Sequence, residues 1–339
     1  MPANIQELQC AFSKTAQTAI DVASADLIRF NTTSSDIADV ELMVEDDAKE
    51  IGKGHEFAEN TFVTAWKATK KVQCYLTAEA FGLFGAFAMG TGSAGTYTPI
   101  DPVTNTNEIE LPWMTILEAI RKSGSSPVLN RALFGCVVDK FSIALKKGAG
   151  RSNSTISVDL IGTGKHDDAS SLAMPDKTPV HLLPAASLTC TINGTDYITA
   201  KTFEEFDFAW NNNVRDGYFP GSGFQVDGDP TSGQVQGRME FGDREMTSSF
   251  LARFQNGSTE LSKLSAQTEG TLAVGLSGGT GYAGTIAMGQ VRFKTSKVDN
   301  TNGIVTVKTD MSALYNQTTG FAGLVTLTAT NSLGTVGRA

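Results

Sequence analysis

The chain has 339 residues, of which 40 % are hydrophobic and 19 % are charged, and its formal net charge is −9. This length predicts roughly two domains, and the composition supplies a folded core and excludes a largely disordered chain. The acidic balance disfavours a sequence-specific nucleic-acid binder, because such proteins need surplus lysine and arginine to displace counterions from phosphates.

The beginning of the chain carries no sign of membrane targeting. Residues 1–7 lack the basic start and apolar stretch of a signal peptide. The most apolar run, residues 80–89, is much shorter than the ~20 residues that span a bilayer. We therefore expect a protein that is soluble when made and has no membrane partner.

The first clear element in chain order is a helix over about residues 77–89. Thr77 is a suitable N-cap, and Glu79 lies in the first turn, where negative charge is favourable. Apolar residues at helical spacing leave almost no polar face. They are Phe81, Leu83, Phe84, Phe87 and Ala88. The pattern predicts a helix that is buried almost all round.

Alternating apolar and polar residues predict β-strands further along the chain. Residues 141–146 and 156–160 flank a Gly- and Ser-rich connection and are expected to form an antiparallel pair with one buried face. The same alternation recurs at 206–210, 235–241, 291–293 and 305–309. The last segment follows Asn302-Gly303, a strong hairpin-turn signal. The fold class predicted is mainly β.

A short peptide occurs twice and indicates an internal duplication. Residues 90–96 read GTGSAGT and residues 279–285 read GTGYAGT, which is an offset of 189 positions. A weaker helix candidate at about 258–272 precedes the second copy, as the first helix precedes the first. The predicted organisation is an N-terminal arm (1–34), a first repeat (35–170), a linker (171–184), a second repeat (185–330) and a C-terminal tail (331–339).

Two glycine-rich motifs resemble nucleotide sites without the required context. Both copies of the repeated peptide match G-x-G-x-x-G, but a dinucleotide site needs a strand before it and a helix after it, and here the order is inverted. We expect flexible loops instead. Residues 162–165 (GTGK) resemble the end of a phosphate-binding loop, but Asp159 replaces the leading glycine and His166 follows the lysine.

The remaining candidates for chemistry also lack the spacing that a site requires. The histidines are His55, His166 and His181, and no two of them have the spacing of a helical metal site. The acidic runs at 45–47 and 166–168 lack the pattern of a calcium loop. The four cysteines, Cys10, Cys74, Cys136 and Cys190, form no C-x-x-C pair and are expected to be buried or free thiols. The sequence thus predicts no catalytic residue, no cofactor and no metal.

Three stretches taken together resemble the tail tube proteins of long-tailed bacteriophages and prophages. They are residues 50–57 (EIGKGHEF), 137–145 (VVDKFSIAL) with 156–164 (ISVDLIGTG), and 211–218 (NNNVRDGY). The resemblance extends over about residues 35–330. It implies a β-barrel or sandwich with a flanking helix and long loops in each repeat.

The resemblance also implies a structural role without catalysis. Tail tube proteins form rings that stack into a hollow cylinder, through which the genome passes at infection. The implied partners are further copies of the chain, the tape measure, tail-tip and tail-terminator proteins, and phage DNA that slides through without specific binding. The implied location is the virion tail, after assembly in the host cytoplasm. A duplicated chain favours a ring of three copies over six, and some of the acidic surplus is expected to face the channel.

Three other functions compete with the tail tube. The inner tube of a contractile injection or type VI-like secretion system shares the ring architecture but is usually built from shorter, single-domain chains. A phage tail-tip or adhesin-type binding module would remain a small oligomer. A β-sandwich hydrolase would need a converging acid–base cluster, which the motifs do not supply.

Overall fold

The computed structural model describes residues 6–17, 26–46, 61–93, 95–103, 110–122, 127–148, 150–255, 259–301 and 303–337. Within these residues the chain is mainly β, which confirms the predicted class. The strands are connected by hydrogen bonds into one large sheet, and in this part of the chain the sheet does not close into a barrel.

The described part of the first half forms a unit of six main strands, five shorter strands and one long helix. Its elements are β1 (Gln6–Ser13), β2 (Leu27–Arg29), β3 (Ser34–Ser35), β4 (Asp39–Asp46), β5 (Thr61–Tyr75), α1 (Ala78–Met89), β6 (Gly90–Ser93), β7 (Thr96–Pro99), β8 (Met114–Lys122), β9 (Pro127–Lys146), β10 (Ser154–Gly162) and β11 (His166–Asp167). The main strands are antiparallel neighbours in the order β1–β8–β9–β10–β5–β4. Of the shorter strands, β2 pairs with β1, β3 with β5, β6 with β7 and β11 with β9.

The second half follows after a stretch with little regular structure. Its elements are β12 (Thr189–Ile192), β13 (Thr195–Asp196), β14 (Phe203–Asn211), β15 (Glu245–Arg253), α2 (Glu260–Ser265), β16 (Glu269–Gly279), β17 (Tyr282–Thr301), β18 (Ile304–Ala313), α3 (Gly320–Leu324) and β19 (Thr326–Thr330). The main order is β12–β16–β17–β18–β15–β14. The short β13 pairs with β12, and β19 joins the first half of β17 to β7.

The two halves repeat the same pairing order, strand for strand. The long strands β9 and β17 each contain 20 residues, and β17 begins at Tyr282, 155 positions after Pro127. Both long strands carry a bulge at matching positions. In β9 the unpaired residue is Asp139, and in β17 it is Lys294, again 155 positions later.

One strand pair joins the halves into a continuous surface. Residues 205–211 of β14 pair with residues 146–140 of β9, so that β14 lies between β9 and β15. The strand order across the junction is β4–β5–β10–β9–β14–β15–β18–β17. We call the outward side of this run the polar face and its opposite side the core face.

The predicted first helix is confirmed and forms the centre of the core. Thr77 caps α1, and its Oγ1 accepts a hydrogen bond from the Ala80 amide at 3.1 Å. Gly90 ends the helix in the left-handed region at φ +84°, which a residue with a Cβ rarely adopts. All twelve residues of α1 are buried. The helix packs against core-face aromatics, among them Phe12 and Phe141.

Five of the six predicted strand segments are confirmed. They lie in β9 (141–146), β10 (156–160), β14 (206–210), β17 (291–293) and β18 (305–309). The predicted strand at 235–241 is wrong. This segment makes only isolated bridges, although its Val235 and Met239 are buried. Its alternation comes from a loop that turns these two side chains inward.

The second predicted helix is wrong over most of its length. Only Glu260–Ser265 is helical, because Gln267 has a φ of +52° and ends the helix. Residues 269–272, which the prediction assigned to the helix, belong to β16. That strand has neighbours on both sides, β12 and β17, and strand pairing outweighs the weak helical pattern.

The repeated glycine peptides do not occupy equivalent positions. Residues 90–93 and 95–96 lie in the β6–β7 hairpin, whereas residues 279–285 include the turn between β16 and β17. The counterpart of the second turn is the connection between β8 and β9, as the 155-residue offset of the long strands requires. The offset of 189 therefore does not relate the two halves.

Candidate functional site

The described residues weighed for chemistry do not converge into a metal site. The glycine peptides form hairpin turns, and Lys165 donates to Asp227 at 2.7 Å, which leaves the GTGK segment a structural turn. Within the described part of the chain, no group of three histidine, cysteine, aspartate or glutamate side chains converges as a metal site would require. His55 and Asp47 lie outside the described residues.

The two described histidines have structural partners. His166 Nδ1 lies 2.9 Å from the Gly164 carbonyl oxygen, and its ring packs edge-on against Trp66. His181 Nδ1 lies 2.8 Å from Glu79 Oε1, and its backbone amide donates to the same carboxylate. The His181 ring also stacks on Tyr282, with ring centroids 3.4 Å apart. These contacts hold loops against α1, β5 and β17.

All four cysteines are buried free thiols, as predicted. Burial raises the pKa of the Cys74, Cys136 and Cys190 thiols to about 12, because the thiolate would lose its hydration. Such thiols remain protonated near neutral pH and are poor nucleophiles.

The polar face is the most extended functional candidate. Its central strands present small polar side chains outward, while alternate residues point into the core. The outward residues lining a groove of about 650 Å³ include Ser142, Thr155, Ser157, Thr247, Ser249 and Ser312. The groove crosses the β9–β14 junction, so both halves of the chain contribute to one surface.

Charges on the polar face are mixed and interleaved. Lys146 of β9 pairs with Glu205 of β14 at 2.9 Å. Asp159 stands directly opposite Lys71 on one side and Lys140 on the other. Cross-strand neighbours of opposite sign stabilise a sheet and reduce the net field over its surface.

One carboxyl group on this face is held in an unfavourable setting. The pKa of Asp207 is raised, chiefly by partial burial and then by repulsion from Glu205, while Lys146 and Lys308 act in the opposite direction. The side chain lies beside the β9–β14 junction, opposite Ala144.

Asn212 secures the place where the halves meet. Its Nδ2 donates to the Ala88 carbonyl of α1 at 2.9 Å and to the Val138 carbonyl of β9 at 2.8 Å. Its Oδ1 accepts from Trp210 Nε1 at 2.9 Å. In the sequence this asparagine was noted only as part of residues 211–218, which resemble tail tube proteins, and its role at the junction was not predicted. The signal that could have indicated the role is an amide side chain soon after a strand with alternating aromatic residues.

The run of strands that carries the polar face has an open strand edge at each end. Among the described residues, β4 pairs only with β5, and residues 295–301 of β17 pair only with β18. These edges are the two ends of the continuous run that carries the polar face. The described helices provide no span long and apolar enough for a bilayer.

A mainly β chain with a broad polar sheet face and open terminal edges has the features of a structural subunit. The sequence model of the phage tail tube protein family matches residues 71–331, which is most of the chain. The chain therefore belongs to the phage tail tube protein family, and its role is that of a structural tail tube protein. This membership implies a location in the virion tail, self-assembly of the chain into a tube and association with other tail proteins. No curated protein matches the chain.

Proposed function

We propose that copies of this chain form rings that stack into the hollow tail tube, and that phage DNA passes through this tube during ejection. The observation that carries the proposal is the continuous polar face, which crosses both halves and ends in two open strand edges. Open edges invite uncontrolled pairing in a monomer, but in a ring they join neighbouring subunits.

The polar face is proposed to line the channel. Its small hydroxyl-bearing side chains and interleaved charges would offer DNA few unpaired cations, the exception being Lys297 opposite Lys308 at the β17 edge. Exposed lysine rows would instead hold phosphate through counterion release. Asp159, Asp207 and Asp310 lie on this face and are the carboxylates proposed to face the lumen. A cryo-EM lumen dominated by lysine and arginine would overturn this assignment.

The ring is proposed to contain three copies, each supplying two tube repeats. The repeats would span residues 35–170 and 185–330, with 171–184 as the linker between them and the arm 1–34 and tail 331–339 outside. The matching strand orders of the two halves support two repeats, but in that match β1 is the counterpart of β12, so residues 6–13 belong with the first repeat and not outside it. Assembly is proposed to occur in the host cytoplasm, with tape measure, tail-tip and tail-terminator proteins as partners.

Electron microscopy tests the proposal directly. The purified protein is imaged by negative stain at rising concentration, with and without a tail-tip initiator complex. Rings or tubes with a central channel are expected, and each ring is expected to contain three chains rather than six. Small particles that persist even with the initiator would overturn the tube assignment and favour a binding module.

A further inference from the structure

We propose that β4 of one copy adds to the open edge of β17 in the next copy, with Asp39 directly opposite Lys297. This inference rests on the proposed ring and specifies its junction at residue level. The contact is heterologous, since it joins two different edges, and it can therefore repeat around a closed ring.

The junction inside the chain supplies the template. There, β14 pairs with the second half of β9, and Phe208 of β14 stands opposite Ile143 of β9, each only 1 % exposed. By the shared pairing order, β14 corresponds to β4 and β9 corresponds to β17. The same correspondence pairs β4 with β17. These two strands are the opposite ends of the run in one chain, so we expect them to pair only between two copies.

The register follows from the same correspondence. Asp39 pairs with Thr69 on β5, and Ala209 pairs with Thr247 on β15. The two threonines match because each lies two residues before the residue that stands opposite an aspartate just past the bulge: Lys71 opposite Asp159 of β10, and Ser249 opposite Asp310 of β18. Asp39 is therefore the counterpart of Ala209, whose partner on β9 is Ser142. The position 155 residues after Ser142 is 297.

An apolar side chain is exposed where this pairing would cover it. Val298 on β17 is 42 % exposed, although its counterpart Ile143 is buried. On β4, Leu42, Met43 and Val44 are 39 %, 42 % and 52 % exposed and directly follow residues 39–41, which pair in this register. Exposed apolar residues at open strand edges mark a contact surface rather than a solvent face.

The charges at the two edges are complementary. Lys297 and Lys308 stand directly opposite each other on β17 and β18, and both are exposed. Like charges at opposite positions destabilise a strand pair. The proposed register places Asp39 directly beside Lys297 on the same face, where it offsets this repulsion. The rest of β4 is also acidic, with Glu41 and Glu45 exposed.

The equivalent triplet inside the chain carries no charge. Ser142 and Ser157 stand opposite each other on β9 and β10, and Ala209 is the third member on β14. The lysines and the aspartate thus occur together at the outer edges and are absent together from the inner junction. Such a matched difference is expected if the outer edges meet each other.

Cysteine pairs test the register. Chains carrying both Asp39→Cys and Lys297→Cys, or both Val40→Cys and Ser296→Cys, are assembled with the initiator and oxidised. Disulfide-linked multimers are expected from at least one pair, because residues directly opposite on antiparallel strands approach disulfide range. Asp39→Cys with Asp299→Cys is the off-register control on the same face and should not link.

Charge exchange tests the electrostatic component. Asp39→Lys or Lys297→Asp alone should slow tube elongation about tenfold or more, because like charges then meet at the junction. The double variant, Asp39→Lys with Lys297→Asp, should recover most of the rate. Lys201→Asp makes the same charge reversal as Lys297→Asp at an exposed position away from both edges, and it should have little effect. Circular dichroism checks that each variant is folded.

The outcomes separate this inference from the proposed function. If the wild-type chain forms no rings or tubes with the initiator, both are overturned. If rings form but neither opposite pair links, or only the off-register pair links, the proposed β4–β17 junction is wrong while the tube remains. Failure of the double charge exchange to recover any elongation would also count against the junction.

Discussion

At the residue scale, a buried ion pair fixes the bend between β3 and β4. Lys70 Nζ lies 2.5 Å from Glu118 Oε1, and their side chains are 1 % and 0 % exposed. Lys70 also donates to Ser35 Oγ and the Asp36 carbonyl, while Glu118 accepts from the Ala38 amide. Each charge is thus surrounded by hydrogen-bonding partners, which a buried ion requires.

Removing only one partner of this pair should be costly. We expect Lys70→Met to lower the free energy of unfolding by about 3–5 kcal/mol, because Glu118 would be left buried and unpaired. Urea unfolding measures the effect. Lys71→Met, at an exposed neighbouring position opposite Asp159, should cost no more than about 1 kcal/mol. A loss below about 1 kcal/mol for Lys70→Met would contradict this account, and adding Glu118→Leu should restore most of the stability.

Asp207 should make the stability depend on pH. Its pKa in the folded chain is raised by burial, so the unfolded chain ionises first as the pH rises. Stability is therefore lost above the unfolded value of about 3.9, and the loss is complete above the raised folded pKa. We expect Asp207→Asn to stabilise the protein at neutral pH and to lose this advantage in acid.

Denaturation of the Asp207→Asn variant at several pH values provides the measurement. Asp176→Asn, at an exposed position, is the control and should show no comparable pH-dependent gain. An advantage of Asp207→Asn that grew as the pH fell would reverse the assigned direction.

At the element scale, the two main helices should differ greatly in importance. Phe84 of α1 is fully buried and packs edge-on against Phe12, with ring centroids 5.1 Å apart. Phe84→Ala should lower the free energy of unfolding by about 3–5 kcal/mol, because it leaves a cavity in the core. Leu261 of α2 is 40 % exposed, and Leu261→Ala should cost less than about 1 kcal/mol. Equal losses in thermal or urea unfolding would contradict the central position of α1.

The elements predicted correctly were those whose local pattern agreed with their burial. The helix at 77–89 combined a cap with continuous apolar spacing, and the alternation in β14 set Phe206, Phe208 and Trp210 toward the core. Local pattern failed at 235–241, where a loop mimics alternation, and at 266–272, where pairing with two neighbouring strands decides the structure.

The candidate surface was predictable only in part. The outward polar residues of β10 and β14 follow from alternation, but the neighbours across the sheet depend on strand order, which periodicity does not encode. The repeated peptide at 90–96 and 279–285 indicated a duplication but gave the wrong offset. Similar glycine-rich sequences occur at many hairpin turns, so two of them need not be equivalent. The 155-residue relation between β9 and β17 becomes visible only from the bulges at Asp139 and Lys294.

At the scale of the whole molecule, assembly should respond to salt. If acidic β4 meets the lysines of β17, the attraction between copies is partly screened as the Debye length falls from about 10 Å at 0.1 M salt to about 3 Å at 1 M. Initiated elongation should therefore slow as salt rises over this range. The neutral pair Asp39→Asn with Lys297→Gln should respond more weakly. Light scattering measures elongation, and equal salt responses would contradict an electrostatic contribution at these edges.

The strand pair β14–β9 has a consequence for the energetics of forming a ring. Because both strands belong to one chain, this contact forms during folding, at the high effective concentration of a tethered pair. A ring of three chains with six such contacts would have to form only three of them between separate molecules. Each association of free molecules loses translational and rotational entropy, so covalent linkage of the halves lowers the number of times that loss occurs. Ring formation then becomes possible at lower concentrations of free protein than six separate subunits would need.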